Sequence, residues 1–418
     1  MRRFLHRRVH GRNASILSVV DQAVASAASF LIVLVAARLL GVEEFGAFSV
    51  VFILYTIVLG AVQAYIGQEL TLATGTRAEL IGRSWTACKT AAILSLPIAV
   101  MTAGFALFLD EVRAPLLVLA IGLPVFVVHE TVRFSMALVK AMHTALLIDV
   151  LRVALVTVGV AAVVFTDGLP EPTAGVIFAL WAVATAASLL PLVGVAREAS
   201  RLARRLPWHA VFSRDYLGNR FIAEFAAVRA SSQALTIFLG VLAGLAATGA
   251  LRAASTLFGP INMLLSAVIA FAVPVLRERP RAGRAAAVVT LTTALALLSL
   301  VFTVALVVMP DAWGEALLGE TWAGTKAMLV PVGVQTIGLA VSTVMVVGIR
   351  MIDPNSTLAI RLIGSALTVV FFAAGYGLWS VQGAVWGLCL ASWTQSLMLL
   401  IRYARLERGD ASARRTED

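Results

Sequence analysis

Arg229 stands two turns inside a long apolar run, with Glu224 about one helical turn before it and Gln233 about one turn after. Arg252 opens the next apolar run and Asn262 lies deeper within it. Asp21, Gln22, Ser26 and Ser29 carry the polar content of the first run, and Tyr55, Gln63 and Gln68 that of the second. Ionisable groups in such surroundings are costly, so they face an aqueous cavity or a charged partner. An arginine so placed suits an anionic group, which it holds by forked, charge-assisted hydrogen bonds. An acid facing a partly dry cavity can carry protons near neutral pH. Arg229, Arg252, Gln233, Asn262, Gln63 and Tyr55 are therefore candidate substrate contacts, and Asp21 and Glu224 candidate ion-coupling groups. The two acids keep a second reading, as interfacial groups near the inner ends of their helices or partners of neighbouring bases. Snorkelling from the depth of Arg229 is strained, which favours the cavity for it.

A second cluster comprises His129, Glu130 and Arg133 in the fourth apolar run, with Asp149 and Arg152 in the fifth. The sequence HETVR superficially matches a zinc-protease helix, but Arg133 stands where the second histidine is needed, so no metal is expected. Glu130 with Arg133, and Asp149 with Arg152, have the spacing of intrahelical pairs. They read as structural links between the two helices, with a proton relay as the lesser reading. Cys88 and Cys389 both fall in apolar runs and suggest neither a disulfide framework nor a zinc site. No cofactor is indicated.

The elements that must position these groups are set by composition. With 60% hydrophobic and 13% charged residues and a mean hydropathy of +0.93, the chain has more apolar surface than a water-soluble core could bury. A ruler of about 20 apolar residues per crossing gives twelve spans. They run over about 17–40, 46–66, 85–108, 115–138, 145–165 and 173–195, then about 221–243, 250–275, 286–308, 327–349, 357–376 and 379–401. The apolar run that follows the basic amino terminus continues to Leu40, too long for a signal-peptide core, so it reads as an uncleaved first helix.

The pattern recurs. LLGVEEFGAFSV (Leu39–Val50) and LAGLAATGALRA (Leu242–Ala253) share Leu, two Gly and Ala in register, and at the same offset Asp21 falls on Glu224. The expected architecture is thus an all-α polytopic membrane protein of twelve transmembrane helices in two six-helix lobes, related by a parallel pseudo-two-fold repeat. The lobes are placed at 1–196 and 221–401, joined by a basic cytoplasmic linker at 197–220 and followed by a cytoplasmic tail at 402–418. In the linker, Arg201, Arg204 and Arg205 recur about once per turn, as in an amphipathic helix on anionic headgroups. The net charge of +10 is spread over alternate loops, including Arg2, Arg3, Arg77, Arg83, Lys140, Arg277, Arg350 and Arg402. It is a topology signal that places both termini in the cytoplasm. A nucleic-acid partner would require a basic face interleaved with aromatics on a soluble domain, and the pattern excludes it. Gly259-Pro260 in the eighth span is a candidate hinge against the default of a packing kink, and Pro274 lies near that span's end.

AARLLGVEEFGAFSVVFIL after an arginine-rich start, LLGETWAG (Leu317–Gly324), the Gly-Pro pair of the eighth span and the basic central loop resemble the Wzx-type polysaccharide flippases. These belong to the multidrug/oligosaccharidyl-lipid/polysaccharide exporter superfamily. The resemblance implies a two-lobed bundle with a cavity lined by spans one, two, seven and eight. It implies movement of undecaprenyl-diphosphate-linked oligosaccharide across the bacterial cytoplasmic membrane by alternating access, usually ion-coupled. On it, Arg229 and Arg252 contact diphosphate or acidic sugar and Asp21 or Glu224 couples. Partners would be the lipid-linked substrate, membrane lipids, and a glycan polymerase with glycosyltransferases. The chain departs from the pattern in having few cavity cations. A peptidoglycan-precursor flippase would bring fourteen helices and more basic residues. Two alternatives stand: an ion-coupled multidrug exporter of the same superfamily, which would want acids deep in a lobe, and a membrane polymerase or glycosyltransferase. The latter needs a sizeable catalytic domain, whereas the outer loops gather only Asp311, Glu315 and Glu320, so an enzyme is not expected.

Overall fold

A computed structural model describes residues 11–166, 171–194, 196, 200, 216–266, 268, 281–353 and 356–415. Most of the linker at 197–220, Pro274 and the basic segment around Arg277 fall outside the described residues.

The described residues are helical almost throughout, as a hydrocarbon environment demands of a chain whose backbone must satisfy its own hydrogen bonds. Helices α1 (Gly11–Leu39) and α2 (Val42–Thr71) meet at a tight join through Leu40 and Gly41, and α3 (Arg77–Ala106) starts from a Thr76–Glu79 capping box. They are followed by α4 (Arg113–Leu138), α5 (Met142–Phe165) and α6 (Ala174–Ser188). Helix α7 consists of Leu217–Phe225, a π turn at Ala226–Ala230, and Ser231–Ala243. Gly244 alone, at φ +87°, joins it to α8 (Leu245–Leu257, with helix resuming at 259–266). Helix α9 (Arg281–Val307) leads through a short helix, Asp311–Leu318, to α10 (Trp322–Ile352). A continuous stretch, Thr357–Arg415, is broken at Trp379 and Ser380 into α11 (357–378) and α12 (381–415). Among the described residues the twelve expected helices are present, in the expected order. Among the described residues, eight helical stretches are long and apolar enough to cross a membrane, while Ala23–Leu39 and Ser231–Ala243 are shorter apolar helices.

The chain divides into two compact units. One comprises residues 1–40 and 47–226, the other Gly41–Gly46 and residues 227–418. In the first unit α4 packs against α3, α5 and α6, and α1 packs on α5. In the second, α10 packs against α8, α9 and the α11–α12 pair. The fourth helix of each half is thus its packing centre, which is how a parallel duplication expresses itself in contacts. The in-register glycines have a packing reason. A Cβ on Gly249 would stand 3.2 Å from the backbone of Gly46, and one on Gly46 would enter the backbone of Leu245. Hydroxyls inside the spans do not remain exposed to hydrocarbon. Thr131, Ser135, Thr185, Ser299, Thr303 and Thr336 each donate to the carbonyl one turn back.

Helices α11 and α12 form a hairpin whose backbones touch: a Cβ on Gly375 would collide with the Gly383 carbonyl, and one on Gly387 with that of Phe371. Ser380 turns the hairpin at φ 49°, ψ −133°, a conformation that glycine adopts without penalty. Two substitutions read these constraints. Ser380→Gly is expected to raise thermal stability in detergent by the equivalent of about 1 kcal/mol. Gly375→Leu is expected to lower it by roughly 1–3 kcal/mol.

Candidate functional site

The most strongly built polar site lies inside the first unit. On α4, His129, Glu130 and Arg133 share one face by their three- and four-residue spacing, and on α5 Asp149 and Arg152 do the same. Helix α1 supplies Asp21. The Arg133 guanidinium reaches all three acids: Asp21 Oδ2 at 3.0 Å, Glu130 Oε2 at 3.2 Å and Asp149 Oδ2 at 2.8 Å from its Nε. Arg152 meets the other Asp149 oxygen at 3.1 Å, and its guanidinium lies 4.8 Å above the Trp181 ring. His129 Nε2 stands 3.7 Å from Asp149 Oδ1 and makes no hydrogen bond. Asp149 is 0% exposed, His129 1%, and Asp21 and Arg152 4% each.

Three carboxylates thus face two guanidiniums. With His129 neutral the network carries one uncompensated negative charge in a largely buried site, where such a charge is costly. One proton, on the imidazole or on a carboxyl, neutralises it. The wall on one side is aromatic: Tyr55 packs on Phe52, Phe126, Phe178 and Trp181 at centroid distances of 4.8 to 6.4 Å.

The expected site residues are distributed as follows. Asp21 is buried in this network and Tyr55 in its aromatic wall, 3% exposed. Gln63 is exposed and opens a π turn, Gln63–Gly67, in α2. Glu224 is half-buried on the amino-terminal half of α7, and these four belong to the first unit. Arg229, Gln233, Arg252 and Asn262 belong to the second. Arg229 is exposed within the π turn of α7 and makes no ion pair with a described residue; Gln233 is half-buried one turn later. Arg252 is half-buried on α8 with its Nε inside, and Asn262 Oδ1 is buried without a hydrogen bond.

The intrahelical pairs expected on α4 and α5 are present, Glu130 with Arg133 and Asp149 with Arg152. What spacing alone does not show is that Arg133 also ties Asp21 of α1 and Asp149 of α5 into the same centre. A usable signal was the surplus: the pairs on α4 and α5 each balance, so the extra acid of α1 has no cation of its own and must share one of theirs.

No protein-family profile matches the chain. No curated protein matches it either. Solved structures do. The chain is similar to the inward-facing conformation of a multidrug resistance MATE family transporter of the MOP superfamily, with a TM-score of 0.74 and 14% identity over 93% of this chain and 99% of that one. It is similar to the lipid II flippase MurJ in an inward closed conformation, with a TM-score of 0.72 and 10% identity over 93% of this chain and 87% of that one. An outward-facing MATE structure gives 0.61 at 16% identity over 96% and 98%. This multi-pass membrane protein therefore has the fold shared by MATE transporters and MurJ.

Removing Arg133 leaves three carboxylates, those of Asp21 and Asp149 buried and that of Glu130 partly buried, with a single guanidinium. Arg133→Ala is expected to destabilise the protein by about 3–5 kcal/mol. Adding Asp149→Asn, which removes one stranded charge, should recover at least half of the loss in thermal unfolding of the detergent-solubilised protein.

Proposed function

We propose that the chain is a flippase that carries undecaprenyl-diphosphate-linked oligosaccharide across the bacterial cytoplasmic membrane by alternating access, coupled to protons. Both termini and the 197–220 linker lie on the cytoplasmic side in this reading. The observation that carries it is the disposition of charge. The buried carboxylates of the first unit are engaged by Arg133 and Arg152, whereas Arg229 is exposed within a span. An organic cation needs an available acid; a diphosphate or acidic sugar needs an available guanidinium. The fold likeness to MurJ, a lipid II flippase by its description, supports a lipid-linked substrate.

The fold likeness to multidrug resistance MATE transporters supports the second reading, an ion-coupled drug exporter, and so does the depth of Asp21 and Asp149. Their engagement with arginines weighs against it. A polymerase or glycosyltransferase is disfavoured by the outer loop, where Asp311 accepts from Lys326 Nζ at 2.6 Å and Trp322 Nε1 at 2.8 Å, a fastening role. The neighbours in fold are transporters and flippases rather than enzymes.

Proton coupling follows from the odd charge of the network. A site that is neutral with one proton and anionic without it changes its electrostatic cost when that proton leaves. Helix α1, held to it through Asp21, is the element positioned to respond.

Arg229→Ala should abolish glycan export while membrane levels of the protein stay unchanged, and Arg229→Lys should restore it only partly because the planar fork is lost. Full export by the alanine variant would make Arg229 a packing residue. For coupling, Asp21→Asn or Glu224→Gln in proteoliposomes should still permit downhill exchange yet lose acceleration by an imposed pH gradient. Wild-type acceleration in both variants would place coupling elsewhere.

A further inference from the structure

Helix α7 changes hydrogen-bond register at the boundary between the units. Its π turn, Ala226–Ala230, contains the division between residues 226 and 227. A π turn directs each N–H five residues back, so the Ser231 N–H, which would serve the Ala227 carbonyl in an α-helix, is drawn to Ala226. The Ala227 carbonyl is left to hydroxyls. Ser365 Oγ of α11 donates to it, and Ser231 Oγ, 3.1 Å from the same carbonyl, stands 2.6 Å from Ser365 Oγ and completes the clasp by donating to that hydroxyl.

The two halves of α7 are fastened in different units. In the first unit, Tyr216 Oη donates to the Tyr65 carbonyl of the α2 π turn at 3.1 Å, Gly218 packs so closely there that a Cβ would strike the same carbonyl, and the Phe225 ring fills the space beside Gly60. In the second unit, Tyr376 Oη donates to the Leu242 carbonyl at 2.8 Å and Thr248 Oγ1 to the Thr236 carbonyl at 3.0 Å. The helix is pinned at both ends, and the segment between the pins is the one whose bonding pattern is irregular. A π turn is less favourable than the α-helix it interrupts, so it persists where side chains from outside the helix satisfy what it frees.

We propose that the π turn of α7 is a register switch held in its wide form by the Ser231–Ser365 hydroxyl clasp. When the clasp opens, the π turn closes to an α turn, and Leu217–Phe225 turns about its own axis within the first unit by about 100°, one residue's angular step, which releases the Tyr216–Tyr65 fastening. The switch concerns helix register and does not depend on which substrate is carried.

The test is spectroscopic and independent of transport. A nitroxide is attached at Ala223→Cys, an exposed position on the amino-terminal half, in full-length protein carrying Cys88→Ala and Cys389→Ala in lipid nanodiscs. Ser365→Ala should shift the ratio of the two label environments by roughly fivefold, the effect of one net hydrogen bond. Ser231→Ala should shift it in the same direction, and Ser365→Thr, which keeps the hydroxyl, should match the parent. Superimposable spectra and collision accessibilities in the parent and in whichever alanine variant folds would overturn the switch, even if glycan export proceeds. A shift without glycan export by the parent would sustain the switch and sink the flippase reading.

Discussion

One guanidinium holds the first unit together. Arg133 is the point at which α1, α4 and α5 meet through charge, with its side chain largely buried among its partners. Within hydrocarbon the attraction between helices that drives a water-soluble core is absent, because lipid tails are as apolar as leucine. Close packing of small residues and the pairing of buried polar groups take its place. The Tyr55, Phe126, Phe178 and Trp181 rings pack on one side of the network, and Thr131 and Ser135 are back-bonded on its own helix.

The second unit solves the same problem with small residues. Gly46 against Leu245, Gly249 against Gly46 and Gly375 against Gly383 bring backbones into contact that side chains would hold apart. The in-register glycines of the two tight joins are the visible trace of the duplication. The proposed function rests on the departures from this economy: a network with an odd charge and an exposed arginine in a span.

Most of the fold was legible in the sequence, because hydrocarbon thickness sets span length and apolar runs betray it directly. The break at Trp379 and Ser380 falls on the first two residues of the last expected span, 379–401, close to the expected boundary at 377–378 for that reason. The π turns in α2 and α7 were not legible, since Gln63–Gly67 and Ala226–Ala230 carry no residue that forces them; tertiary contacts select them. The site was legible in its parts. Asp21, Arg133 and Asp149 each stood out as charges in apolar runs, and spacing identified the pairs within a helix. It gave no information about which helix α1 would face, so the three-helix network emerged only with packing. The same limit applies to Tyr55, whose polar tip suggested a cavity and whose ring is instead buried among four aromatics.

The central claim is that the network of Asp21, Glu130, Arg133, His129, Asp149 and Arg152 holds one exchangeable proton. Infrared difference spectroscopy of the full-length protein in lipid, across a pH titration, measures it directly. The account predicts one protonation change, in the carboxylic-acid or imidazolium bands, that is present in the parent and missing from the His129→Gln, Asp149→Asn double variant. Identical titration difference spectra for the two proteins would contradict it.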